Sequence, residues 1–163
     1  MRLILILMVA LFGLSACNPG RPSGGTGGQL SATFSNIVGT PPGGLSLTPF
    51  SANQAIATTQ TFSTHIAGTQ GNRVVQITIA PGLTANRSCT ETSSEFGSLG
   101  CSVSIGIQGQ LSSVMFSKTA NLNATISGGV LTVSGTAHFE NTNGTIKYDV
   151  AINSVTTPLV STP

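Results

Sequence analysis

His65 and His138 are the only two histidines in this 163-residue chain, and each falls on the polar parity of an alternating β-pattern. Asp149 stands across a predicted hairpin from His138, where a carboxylate can fix the tautomer of an imidazole. Hydrolytic chemistry would also need a nucleophile, and no G-x-S-x-G elbow accompanies the pair. A solvated cross-strand pair, worth roughly 0.2–1 kcal/mol, accounts for the same residues more simply. Metal chemistry is the better enzymatic alternative, because two imidazoles and the thioether of Met115 make a ligand set suited to copper. Cys89 and Cys101 lie twelve residues apart with neither a CxxC spacing nor a nearby histidine. They read as a disulfide rather than a metal pair, contributing about 3 kcal/mol by closing a short loop.

Composition removes most other chemistries. Charged residues make up 6% of the chain, against roughly 25% in ordinary soluble proteins. They form no run, so the chain has no electrostatic footprint for nucleic acid. The glycines from Gly24 to Gly28 lack the preceding strand and the lysine of a phosphate loop. With no Trp and one Tyr, an aromatic platform for sugars or bases is excluded. Acidic residues are too few and scattered for a calcium site. What remains is a neutral surface rich in Ser, Thr, Gly, Asn and Gln, suited to packing against neighbours or a membrane.

The N-terminus gives an address. Arg2 supplies a positive charge, Leu3 to Leu14 an apolar run, and Ser15-Ala16 a small-residue step into Cys17. That run is shorter than the roughly 20 residues a spanning helix needs, so it reads as a cleaved export signal over residues 1–16. Leu14-Ser15-Ala16-Cys17 resembles the lipobox of bacterial lipoproteins. The resemblance implies that Cys17 is lipid-modified and becomes the first residue of the mature chain. Asn18, rather than an acidic residue, follows it, which in diderm lipoproteins favours the outer membrane. Residues 17–28 are then the lipidated cysteine and a Pro/Gly tether spanning roughly 20 Å as a flexible coil.

The elements that must position these side chains are strands. Gly71-Asn72 as a two-residue turn faces Ile66 to Ile77 and Thr64 to Ile79. Gly128-Gly129 pairs Ile126 with Leu131 and Ala124 with Val133. Asn143-Gly144 pairs Phe139 with Tyr148 and Ala137 with Val150 on one face. On the other face it pairs Glu140 with Lys147 and His138 with Asp149. Residues 121–154 are thus a three-stranded meander. Cys101 to Leu111 reads as one strand with Cys101 on its core face, and Phe62 shares a face with Ile66. Long connections at Pro41–Gly44 and Leu83–Gly100 look like sheet-to-sheet crossings. The expected fold is all-β, an antiparallel sandwich of Greek-key or Ig-like type with about eight or nine strands and one disulfide. It would occupy residues 29–155, followed by a loose tail over 156–163.

The resulting expectation is a lipid-anchored protein of the bacterial cell envelope, at the outer membrane, with a binding or structural role and no cofactor. It is similar in composition and architecture to accessory lipoproteins that dock on outer-membrane or surface-layer assemblies. Its partners would be the membrane, through the lipid, and an envelope or surface-layer protein. The alternative is a copper protein built on His65, His138 and Met115. Exported copper–zinc superoxide dismutases share the sandwich and the disulfide, but this chain lacks their His-x-His pair, so no ligand transfers by motif.

Overall fold

The computed structural model describes residues 28–60, 62–92 and 100–161. The expected signal, Cys17 and the tether up to residue 27 lie outside them. Nine strands make up the described chain: β1 (Gly28–Val38), β2 (Phe50–Thr59), β3 (Thr64–Gln70), β4 (Arg73–Ile79), β5 (Arg87–Thr92), β6 (Cys101–Ile107), β7 (Gln110–Ser127), β8 (Val130–Glu140) and β9 (Lys147–Ser161). Eight of them close into an antiparallel barrel in the order β1-β2-β3-β4-β6-β7-β8-β9 and back to β1. A short parallel pairing of Ala57–Thr59 with Leu159–Ser161 helps seal it.

Local sequence explains the pairing. The turns at Gly71-Asn72 and Gly128-Gly129 set the registers expected of them, Ile66 to Ile77 and Ile126 to Leu131. Around Asn143-Gly144 the ladder resumes at Glu140 and Lys147, so Phe139 meets Tyr148 and His138 meets Asp149. Period-2 alternation then sends one face of each strand inward. Leu30, Ile66, Ile77, Ile105, Leu122, Leu131, Phe139, Tyr148 and Val150 are among the fully buried residues that fill the interior. An eight-stranded barrel is just wide enough to be packed solid in this way. Gly68 marks one tight point, since a Cβ there would lie 2.9 Å from Ala52 and Leu30.

The architecture is therefore all-β with a disulfide, as expected, but a closed barrel rather than a sandwich. Neither long connection crosses between sheets. The segment around Pro41–Gly44 joins β1 and β2, which are hydrogen-bonded neighbours. The Leu83–Gly100 stretch contains β5, which pairs with β7 beyond β6. Closure is possible because β7 is 18 residues long. Its first half pairs with β6, and its second half lies between β5 and β8.

Three smaller differences follow. The strand expected over Cys101–Leu111 ends at Ile107, and Leu111 is exposed in β7. Phe62 sits in the β2–β3 turn, 84% exposed, while Ile66 is buried. Residues 156–161, expected as tail, continue β9 and pair with β8 from Thr156 to Pro158. Cys89 and Cys101 form the disulfide, both buried, with Cα atoms 5.8 Å apart. It fastens β5 to the barrel wall at the start of β6.

Candidate functional site

The outer face of the barrel carries an open groove of about 610 Å³ that crosses five neighbouring strands. β5 contributes Thr90, β7 Thr119 and Asn121, β8 Thr136 and His138, β9 Asp149, and β1 Ser35. Ala120 and Ala137, paired across β7 and β8, lie beneath. Three of the ladders that carry the groove are interrupted by register shifts. The β7–β8 ladder slips between Ser117 and Thr119, β8–β9 between Val133 and Gly135, and β1–β9 between Ser31 and Ala32. Bulges bend a strand and raise its twist, and they recur beside functional sites. Gly135 is required at one of them: its φ is +149°, and a Cβ would lie 2.1 Å from the Asn121 carbonyl oxygen.

Within the groove the His138–Asp149 pair is formed as expected. His138 Nδ1 lies 2.6 Å from Asp149 Oδ1, so the neutral ring carries its proton on Nδ1 and leaves Nε2 as an acceptor. Asp149 Oδ2 accepts a second hydrogen bond, 2.6 Å from Asn36 Nδ2. Asn36 reaches it from a left-handed backbone conformation, φ +53°, that asparagine tolerates better than most residues. The Asn36 and His138 bonds together hold the Asp149 carboxyl below its usual range. Beyond the groove, Glu140 accepts from Lys118 and, at 3.1 Å, from Lys147. Those two ammonium groups pull its pKa down to about 2. Glu140 Oε2 also stands 3.9 Å from His138 Nε2.

This arrangement supplies hydrogen-bonding groups to the groove. The groove presents hydroxyls, one amide, and an imidazole whose orientation is fixed by a carboxylate. His138 Nε2, the nitrogen a hydrolase would aim at its nucleophile, faces a second carboxylate instead.

The other expected residues lie elsewhere. His65, on β3, is separated from β8 by β2, β1 and β9, and at roughly 4.8 Å per strand the two imidazoles are far beyond one ion's reach. Ser63 Oγ lies 2.7 Å from His65 Nε2 and Thr78 Oγ1 3.2 Å from Nδ1. Burial pushes this imidazole below its ordinary pKa. Met115 is buried in the first half of β7 and lines a separate groove of about 310 Å³ with Phe116, Glu140 and Ile146. The structure thus does not bring His65, His138 and Met115 together. Among the described residues, no three His, Cys, Asp or Glu side chains are grouped to hold a metal ion.

Sequence reasoning found His138 and Asp149 but missed Asn36, Lys118 and the threonine lining. Gly135, an isolated glycine inside a strand pattern, was the available signal for a bulge. No family model matches this chain, and neither a curated protein nor a solved structure shows significant similarity to it.

Proposed function

We propose that this protein is a lipid-anchored component of the bacterial cell envelope, at the outer membrane, that binds a partner through the His138 groove. The partner is an outer-membrane or surface-layer assembly. The lipobox-like Leu14-Ser15-Ala16-Cys17 supports the anchor. The observation that carries the binding role is the groove itself: five strands lining an open groove with hydroxyls and an amide around an oriented imidazole. The Asp149 carboxylate is already bonded by His138 and Asn36, so the rest of the groove offers a ligand neutral hydrogen-bonding groups, and the groove favours a ligand of the same kind. An uncharged polypeptide surface or a hydroxyl-rich polymer has that chemistry, whereas nucleic acid does not.

The test is site-directed photocrosslinking in intact cells, with a photoreactive residue in place of Thr136 in the groove or exposed Thr69 on β3. The expected result is a discrete adduct from position 136, none from position 69, and loss of the adduct when Asn121→Arg is added. Equal labelling from both positions, or an adduct indifferent to Asn121→Arg, would refute the groove as the binding face.

A further inference from the structure

At the edge of the groove two hydrogen-bond acceptors face each other. With the neutral His138 ring protonated on Nδ1 towards Asp149, its Nε2 carries a lone pair, and Glu140 Oε2 stands 3.9 Å away. That separation exceeds the roughly 2.7–3.2 Å of a hydrogen bond, and neither atom has a hydrogen to offer the other. Two things settle such a pair. A donor from outside can bond to both atoms, or the ring can take up a proton and aim Nε2–H at the carboxylate.

The charges around His138 decide what responds to pH. On β9, Asp149 lies 2.6 Å from Nδ1, and Lys147 bonds to Glu140. On β7, Lys118 bonds to Glu140 Oε2, and the residue opposite His138 is the uncharged Thr119. β1 adds the neutral Asn36 amide, bonded to Asp149. Neither carboxylate follows the imidazole as acid is added. Asn36 and His138 hold Asp149 below its usual range, and Lys118 and Lys147 hold Glu140 near 2. Imidazole is the side chain whose ordinary titration falls between about pH 5 and 8, and the only other one in the chain, His65, does not line the groove. From neutrality down to about pH 5 the groove therefore changes charge at His138.

We propose that His138 is a proton-operated release switch for the groove: the ligand donates a hydrogen bond to neutral Nε2, and acid displaces that donor by closing the ring onto Glu140. This inference rests on the binding role given to the groove above and adds its regulation. Proton and ligand compete for one lone pair, so each weakens the binding of the other. The imidazolium, bonded to Asp149 through one nitrogen and to Glu140 through the other, has no acceptor left to present. The ligand carries a hydroxyl or an amide N–H at that point, the same neutral chemistry as the rest of the groove. It is held at neutral pH and released in acid.

The test uses the full-length protein with the photoreactive residue in place of Thr136, in envelope membranes irradiated at a series of pH values between about 8 and 5. The expected result is an adduct that falls about tenfold towards acid, the effect of one lost hydrogen bond. Its midpoint should match the His138 ring titration, read by NMR on the full-length protein in detergent. Glu140→Gln should move that ring titration to lower pH, because it removes the carboxylate facing Nε2 and leaves the Lys118 and Lys147 charges unopposed. An adduct of constant yield across the series overturns the switch and leaves the groove standing. No adduct at any pH overturns the groove and the switch together. A fall whose midpoint departs from the ring titration assigns the response to another group, and a ring titration that Glu140→Gln leaves in place removes Glu140 from the device. Either result overturns the proposal.

Discussion

His65 and His138 occupy equivalent places, each on the outward parity of a strand, and the barrel gives them opposite environments. His65 is enclosed by neutral partners, with Ser63 on one ring nitrogen and Thr78 on the other, and burial favours its uncharged form. His138 is bonded to Asp149, stands near Glu140, and opens on a groove. The difference lies in the strands on either side. Between β2 and β4 the imidazole meets Thr78 at matched register, Ser63 two residues back along its own chain, and Gln76 Nε2 at 3.4 Å from Nδ1. Between β7 and β9, where both ladders carry register shifts, the His138 ring borders an open groove. On this barrel wall the neighbouring strands thus separate an enclosed imidazole from one that opens on a groove.

The comparison breaks most severely if β5 is released. Replacing Cys89 and Cys101 with Ser removes a crosslink over twelve residues and should cost about 3 kcal/mol of unfolding free energy, read by denaturant titration. Because Thr90 on β5 lines the groove, groove crosslinking should fall in the double variant, while the His65 network keeps its native NMR signals. Equal disturbance of both histidines would mean that the two regions are not separate.

Next in size is the loss of each imidazole. His65→Ala strands two hydroxyl partners in a half-buried site and should cost about 1–2 kcal/mol. His138→Ala should cost less than about 1 kcal/mol, since its partners are exposed enough to turn to water, yet abolish the groove adduct. The reverse ranking in thermal melts would contradict the assignment of roles.

Acid should sharpen the contrast by acting on the two regions at different pH. His65 is held neutral in the folded state, so its contribution is present above the ordinary imidazole value of 6.5. As pH falls below that value the unfolded chain takes up the proton first, and stability declines. Asp149 and Glu140 have folded values below their ordinary ones, Glu140 near 2. Their contribution is present above about 4 and is lost as pH drops through the folded values. Stability measured against pH should therefore fall in two steps, and His65→Gln should remove only the upper one.

The smallest effect is expected inside the barrel. The Tyr148 ring stacks on Phe139 with centroids 4.7 Å apart, and its buried hydroxyl has no hydrogen-bond partner among the described residues. Tyr148→Phe keeps the stack and removes an unpaired polar atom, so stability should hold or rise by about 1 kcal/mol. A marked loss on calorimetry would mean that the hydroxyl is engaged by a group inside the barrel.

Much of the wall was legible because two-residue turns set register without reference to anything distant. Gly71-Asn72 and Gly128-Gly129 were enough to place Ile66 opposite Ile77 and Ile126 opposite Leu131. Asn143-Gly144 did the same for His138 and Asp149, although its loop is longer than two residues. Closure was not legible, because it depends on β7 running for 18 residues and changing partner midway. Strand β5 was hidden for a simpler reason: Arg87-Ser88-Cys89-Thr90-Glu91-Thr92 has no apolar alternation to read. The groove draws on five strands at once, and of the irregular positions in its ladders only Gly135 leaves a mark in the sequence.

The central claim is that Cys17 holds this barrel on a membrane, and the most direct measurement is the intact mass of the protein taken from the membrane fraction of its cells. The account predicts a chain that begins at Cys17, carries acyl groups there, and retains the Cys89–Cys101 disulfide. A chain that starts at another residue, or an unmodified Cys17 in the soluble fraction, would contradict it.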